Sequence, residues 1–183
     1  MTGRRAFVLA LLAACAPVRA AEDALSPAAN AAFLAANAAK PGTVVRPSGL
    51  QYRVRRAGFG RKVGADDVVR LSYSVTLING AVVEKTPQVL PMALGVNTLS
   101  MAGLAEALPL MREGDRWQVV IPANLGFGGK PAMNGAIPPN QTLIFDITLV
   151  SAAPPQPGQA VPDNPFSVWS NGREAGGAFT IRP

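Results

Sequence analysis

The chain has 183 residues, of which 49% are hydrophobic and 15% charged, and its formal net charge is +6. This composition fits one globular domain with extensions and excludes a disordered or membrane-embedded chain. The absence of histidine excludes chemistry that needs an imidazole as base or metal ligand. Cys15 is the only cysteine, so the folded part has neither a disulfide nor a thiol nucleophile. We therefore expect an activity based on shape and carboxylates, with no metal and no cofactor.

Residues 1–20 have the pattern of an export signal. Two arginines at positions 4–5 precede an apolar run, Ala6 to Ala14, which is shorter than the about 20 residues that span a bilayer. Leu12-Ala13-Ala14-Cys15 resembles the lipobox of bacterial lipoproteins, which predicts cleavage before Cys15 and lipidation of its side chain. Cleavage near Val18-Arg19-Ala20 is the alternative. Both cleavage sites predict a periplasmic protein. With cleavage before Cys15, the lipid would hold the protein at the outer membrane.

Residues 21–46 are predicted to be a linker with one short helix. Ser26 and Pro27 supply an N-cap and a first-turn proline, and an alanine-rich run follows to about Ala39. Pro41-Gly42 ends the run.

Residues 47–151 alternate between apolar and polar side chains, which predicts half-buried antiparallel strands. A different spacing, typical of a helix, runs from about Leu99 to Leu108. The fold class is therefore α+β, an antiparallel sheet wrapped around one short helix. The apolar positions of the strands are Val69, Leu71, Tyr73, Val75, Leu77, Trp117, Val119, Ile121, Leu143, Phe145, Ile147 and Leu149, and those of the helix are Met101, Leu104, Ala105 and Leu108.

Residues 152–183 are rich in proline and predict a flexible tail. Phe166, Val168, Trp169 and Phe179 lie within it and offer an alternative, in which the tail docks on the domain or binds a partner. A mobile C-terminus without assigned function is the expectation.

Two further patterns do not indicate a binding site. The basic residues between Arg46 and Lys62 are read as a solvated strand face. Contact with anionic lipid or nucleic acid is the alternative, and export argues against nucleic acid. Gly126-Phe127-Gly128-Gly129 lacks the lysine and the helix of a phosphate-binding loop.

Short motifs follow one another in a fixed order along residues 30–151. They are Ser48-Gly49-Leu50-Gln51-Tyr52, Leu77-Ile78-Asn79-Gly80, Gly103 to Leu108, Met111-Arg112-Glu113-Gly114, Ile121-Pro122, Gly126-Phe127-Gly128 and Ala136 to Asp146. This order resembles exported bacterial FKBP-type peptidyl-prolyl cis-trans isomerases of the Mip and FkpA kind. The resemblance implies an FKBP-like domain and rotation about the X–Pro bonds of proline-containing polypeptides.

The resemblance also implies which residues form the site. Catalytic positions match Tyr73, Glu84, Phe127, Ile137 and Phe145, and substrate-binding positions match Val83, Leu90, Met101 and Leu104. Core packing remains the alternative for Tyr73 and Phe145, because alternation alone places them on the buried face.

Four of these residues depart from the family pattern. Val83 and Glu84 stand where phenylalanine and aspartate are usual, Leu104 replaces a tryptophan, and Phe127 replaces a tyrosine. We therefore expect a wider, less polar pocket and weaker activity. The alternative function is a periplasmic chaperone or interaction module that keeps the fold with little or no isomerase activity. A monomer is expected, because the first helix is too short for the helical dimerisation region of the relatives.

Overall fold

The computed structural model describes residues 24–158, 160–162 and 166. The predicted export signal and Cys15 lie outside the described residues. Within them, no helix has both the length and the apolar character needed to cross a membrane.

An antiparallel sheet forms the body of the described chain. Its strands are β1 (Val44–Val45), β2 (Gln51–Arg56), β3 (Val68–Thr76), β4 (Val82–Lys85), β5 (Met92–Gly95), β6 (Arg116–Ile121) and β7 (Leu143–Ala153). The order is β1-β2-β6-β7-β3-β4, and β5 pairs with the first half of β3. The two helices among the described residues are α1 (Pro27–Ala38) and α2 (Ala102–Ala107), and short 3-10 turns connect the other elements. The predicted α+β class is confirmed.

The alternation predicted for the strands holds in the sheet. Apolar side chains of β3, β6 and β7 are buried on one face, with α2 among the same core residues. Ser72 departs from the pattern, because it is buried on the face predicted to be wet. It lines a polar groove with Arg116 and Asp146, whose paired side chains cover that part of the face.

Helix α1 follows its sequence signals and is held against the domain by amide side chains. Ser26 Oγ accepts a hydrogen bond from Ala29 N at 3.2 Å, and Asn30 Oδ1 accepts one from Thr142 N at 2.8 Å. Asn37 Nδ2 donates to Gln51 Oε1 at 2.8 Å. These buried hydrogen bonds replace the apolar stripe that an alanine-rich helix lacks.

Helix α2 is shorter than predicted, because the expected range was about Leu99 to Leu108. Residues 96–98 form a 3-10 turn, and Met101 caps the helix in extended conformation. Pro109 lies in a second 3-10 turn, Leu108–Leu110, since its ring cannot continue an α-helix. The predicted face is right for Met101, Leu104 and Leu108, which are buried, whereas Ala105 is half-buried.

The sheet extends past the boundary predicted at residue 151, because β7 runs to Ala153. Its end is fixed on both sides: Ala152 N donates to Glu113 Oε1 at 2.7 Å, and Ala152 O accepts from Arg61 Nη1 at 3.1 Å. Arg61 is held in turn by Asp67. Beyond the strand, Phe166 is buried against the domain, so the tail is not free at this residue.

Candidate active site

Tyr73 lies in β3 with its ring on the buried face. Thr86, the residue after β4, fixes its backbone: Thr86 Oγ1 accepts from Tyr73 N at 2.8 Å and donates to Tyr73 O at 3.2 Å. Burial raises the pKa of the Tyr73 phenol, and the charge of Glu84 raises it further. The phenol is therefore protonated at neutral pH. Sequence reasoning missed Thr86, because a buried threonine after a four-residue strand has no periodic signal.

Phe145 places a second aromatic ring beside Tyr73. It lies in β7 opposite Val75, while Tyr73 lies opposite Ile147, so the two rings are diagonal neighbours on one face of the sheet. Their centroids are 6.0 Å apart, with the ring planes inclined by 41°. Alternation in the two strands predicted this shared face, and the strand register makes the contact.

Ile137 and Met101 belong to the same buried cluster as the two rings. Ile137 is fixed in its loop by a bridge to Ala132, with N···O distances of 2.9 and 3.1 Å. Met101 precedes α2. All four residues predicted as pocket walls are between 0 and 4% exposed. The structure brings them into one apolar cluster, and their role in binding stays a prediction.

Phe127 lies at a cleft that opens to the surface. The ring is half-buried and lines, with Met101 and Lys130, a cleft of about 150 Å³. Its backbone follows the 3-10 turn Ala123–Leu125, and Gly128 after it has a φ of 60°, a conformation that glycine adopts without strain. Phe127 thus stands at the edge of the apolar cluster through Met101.

Three of the four remaining predicted residues lie in or after β4. Val83 is half-buried and packs on the core, whereas Leu90, in the turn that follows, is 68% exposed. Glu84 is half-buried opposite Val75, and burial raises the pKa of its carboxyl. The structure gives Leu90 no burial with the other predicted residues, and its substrate-binding role stays a prediction.

Leu104 and Phe166 share a small cavity with the two rings. Leu104 comes from α2, and the cavity measures about 10 Å³. The Phe166 ring lies 5.5 Å from that of Tyr73 and 6.1 Å from that of Phe145, between centroids. Sequence reasoning assigned Phe166 no function. The cluster of apolar residues after Pro165 was the available signal.

The arrangement suits binding of an apolar ring. Among the described residues there is no cluster of cysteine, aspartate or glutamate able to hold a metal ion. Cys15, the predicted lipidation site, lies outside the described range. What the cluster offers is aromatic and aliphatic surface, with Glu84 on the neighbouring strand opposite Val75.

Family models match most of the chain. The model described as "FKBP-type peptidyl-prolyl cis-trans isomerase" matches residues 60–150, and that of the domain amino-terminal to it matches residues 10–54. The chain belongs to the FKBP-type peptidyl-prolyl cis-trans isomerase family. The motifs of residues 30–151 predicted this membership, which is confirmed.

Curated FKBP relatives and solved FKBP structures agree with this membership. "Outer membrane protein MIP" of Legionella longbeachae is 46% identical over 120 residues, which are 66% of this chain and 51% of the relative. "Peptidyl-prolyl cis-trans isomerase Mip" of Coxiella burnetii is 37% identical over 66% of this chain and 52% of the relative. The chain spans about half the length of these curated relatives.

Two crystal structures share the FKBP-like fold. The peptidyl-prolyl cis-trans isomerase of Pseudomonas syringae pv. tomato has a TM-score of 0.63 and 28% identity, over 77% of this chain and 99% of that one. FkpA from Escherichia coli has a TM-score of 0.62 and 28% identity, over 75% of this chain and 64% of that one.

Proposed function

We propose that this chain is a peptidyl-prolyl cis-trans isomerase acting on proline-containing polypeptides. The contact between the rings of Tyr73 and Phe145 carries the proposal. Because a β3 residue and a β7 residue meet there in one apolar cluster with Ile137 and Met101, the domain has walls suited to a prolyl ring. Family membership supports the same reaction.

The proposed mechanism is binding of a twisted amide. The barrier to X–Pro rotation, about 18–20 kcal/mol, is the loss of amide resonance, and no covalent bond is broken. A twisted amide is less polar than a planar one, so an apolar, water-poor site binds it more tightly. Tyr73, Phe145, Ile137 and Met101 supply that surface, and each 1.36 kcal/mol of preference for the twisted form gives about tenfold in rate.

Glu84 and Phe127 are proposed to set the polar side of the site. Glu84 is half-buried opposite Val75, and its carboxyl offers an acceptor to substrate N–H groups. Phe127 has no hydroxyl to donate to a substrate carbonyl, a loss worth about 0.5–1.5 kcal/mol. We therefore propose an isomerase slower than relatives that carry tyrosine there.

We also propose export and a monomeric state. Export rests on residues 1–20, and either lipidation at Cys15 or cleavage near Ala20 follows from them. The buried amide side chains of helix α1, those of Asn30 and Asn37, form hydrogen bonds with the helix's own domain. This supports a monomer. Light scattering of the mature chain tests the state, and a stable dimer would contradict it.

The proposed activity is tested with prolyl isomerisation of a proline tetrapeptide. Phe145→Leu keeps an apolar side chain and removes the ring, so kcat/KM should fall at least about tenfold. Phe59→Ala, at a side chain 98% exposed, is the control and should leave the rate unchanged. Circular dichroism and a melting curve show whether each variant folds, because truncation of a buried side chain destabilises the core.

The activities of the wild type decide between an isomerase and a chaperone. Isomerisation no faster than the spontaneous rate, together with protection of an unfolded client from aggregation, would replace the enzyme with the chaperone. An undiminished rate in folded Phe145→Leu would remove Phe145 from the site.

A further inference from the structure

Phe166 reaches the candidate site from outside the sheet. Strand β7 ends at Ala153, fixed there through the contacts of Ala152 with Arg61 and Glu113. The roughly 13 residues from there to Phe166 reach about 45 Å at most when extended. This length lets the chain's own tail bring Phe166 to the site.

A second contact marks the path of the tail. Val161 lies against Gly95 at the end of β5, so closely that a Cβ on Gly95 would stand 2.4 Å from Val161 Cγ1. The tail therefore touches the domain at Val161 before Phe166. The tail thus contacts the domain at two residues, Val161 and Phe166, and not at a single side chain.

The Phe166 ring is buried in the way that an apolar ligand is buried in its pocket. It is 1% exposed and lies at 5.5 and 6.1 Å from the rings of Tyr73 and Phe145, within the range of favourable aromatic pairs. Leu104 lines the same cavity, and a leucine there, where the family pattern has tryptophan, leaves room for a ring from elsewhere in the chain.

The space that remains beside Phe166 excludes a prolyl side chain. The cavity between Phe166, Tyr73, Phe145 and Leu104 is about 10 Å³, close to the minimum for one water molecule. The surfaces of Tyr73, Phe145 and Leu104 that line this cavity are thus already covered. A prolyl ring can contact Tyr73 and Phe145 together only after Phe166 has left.

We propose that Phe166 is an intramolecular ligand of the prolyl pocket, which competes with substrate and holds the enzyme in an autoinhibited form. This inference rests on the proposed function, because it regulates that same site. Tethering makes the tail a strong competitor through a high effective concentration. Only molecules with a released tail bind substrate, so the apparent affinity is the intrinsic affinity multiplied by the released fraction. The docked tail therefore raises KM and leaves kcat the same.

The experiment compares the mature chain with two variants that release the pocket. Phe166→Ala removes the ring, and truncation after Gly158 removes the whole contact. Both should raise kcat/KM on a proline tetrapeptide at least about threefold, mainly through KM, as expected if the docked form holds about two thirds or more of the molecules. Phe59→Ala is the matched control at an exposed phenylalanine and should equal the wild type.

A peptide of residues 160–170 added to the truncated chain tests the same contact in trans. It should inhibit competitively, and the peptide with Phe166→Ala should not. Rates at or below the wild type in both folded variants would overturn the inference, since Phe166 would then serve the fold or form the floor of the pocket.

The two proposals fail in different ways. An active wild type that truncation does not accelerate refutes the inference alone. If neither chain catalyses, the proposed function fails, and calorimetry decides the inference: a proline tetrapeptide must bind the truncated chain and be displaced by the 160–170 peptide. Absence of displacement overturns it.

Discussion

At the scale of single residues, the proposed rate of isomerisation is limited by the lack of a hydroxyl at Phe127. Its ring lines the surface cleft beside Met101, and we expect this cleft to accommodate a hydroxyl added to the ring. Phe127→Tyr should raise kcat/KM on a proline tetrapeptide about two- to tenfold, the equivalent of one recovered hydrogen bond. Phe59→Tyr adds the same hydroxyl at an exposed position and should change nothing. An unchanged Phe127→Tyr rate would show that this edge does not contact substrate.

Glu84 predicts a specific pH dependence of stability. Burial raises the pKa of its carboxyl in the folded state, so its contribution to stability is fully present below the unfolded pKa, about 4.3, and is lost as the pH rises through the folded pKa. Glu84→Gln should therefore stabilise the fold at pH 7, by less than about 1 kcal/mol because the group keeps part of its hydration. At pH 3 the variant should equal the wild type in urea unfolding.

The control for Glu84 is Asp66→Asn, which makes the same change from carboxylate to amide at an exposed side chain. A Gln variant less stable than the wild type at pH 7 would mean that Glu84 gains more from a partner than it loses by burial. That outcome would assign the carboxylate a structural role.

Single residues also show the limits of prediction from sequence. Alternation gave the buried face of Tyr73 and Phe145, and a family motif singled out Ile137, because strand period and local motif are properties of neighbouring residues. Thr86 and Phe166 reach the site through pairing and tail docking, which join residues distant in sequence. Nothing local to a threonine after a short strand, or to a phenylalanine among prolines, specifies its contact.

At the scale of elements, the position of α2 depends on close packing at Gly103. A Cβ at this residue would stand 2.5 Å from Ile121 Cγ2, so alanine must push α2 away from β6 or move Ile121. Alanine gains up to about 1 kcal/mol in helix propensity, whereas overpacking a core costs about 1–3 kcal/mol. Gly103→Ala should therefore lower the free energy of unfolding by about 1–2 kcal/mol, measured in urea.

A double variant tests whether the clash with Ile121 causes the loss of stability in Gly103→Ala. Ile121→Ala in the Gly103→Ala background should cost less than Ile121→Ala alone, because the added methyl then has space. Additive losses would show that α2 accommodates the Cβ in another way. Since Leu104 lies in this helix and Met101 directly precedes it, a displaced α2 should also lower kcat/KM.

The helix limits were predicted best where the local sequence signal fits only one conformation. The limits of α1 follow from Ser26 and Pro27, which fix its start, and the structure ends it at Ala38. The predicted α2 was too long at its start, because helical spacing at Leu99 and Met101 also fits a 3-10 turn followed by extended residues. Tertiary packing of the apolar residues decided between these conformations, and spacing alone does not.

At the scale of the whole molecule, the proposed location depends on residues before α1. If Cys15 is lipidated, it ties the domain to a membrane through a linker of roughly 10 residues before Ser26, about 35 Å at most when extended. Such an anchor would keep the site close to the membrane surface, while ordinary cleavage near Ala20 would release the domain. The two routes therefore predict different sites of action for the same pocket.

Reciprocal variants separate the two routes in a bacterial host. With a lipidated Cys15, the wild type should fractionate with membranes and Cys15→Ser should appear in the soluble periplasm, because no thiol remains to carry the lipid. Ala16 after the cysteine, in place of aspartate, favours the outer membrane within that fraction. Ala20→Leu is the matched variant: it should leave the lipoprotein route unchanged and block ordinary cleavage. A soluble wild type whose processing fails only with Ala20→Leu would contradict the lipid anchor, and mass spectrometry of the mature N-terminus reads both outcomes directly.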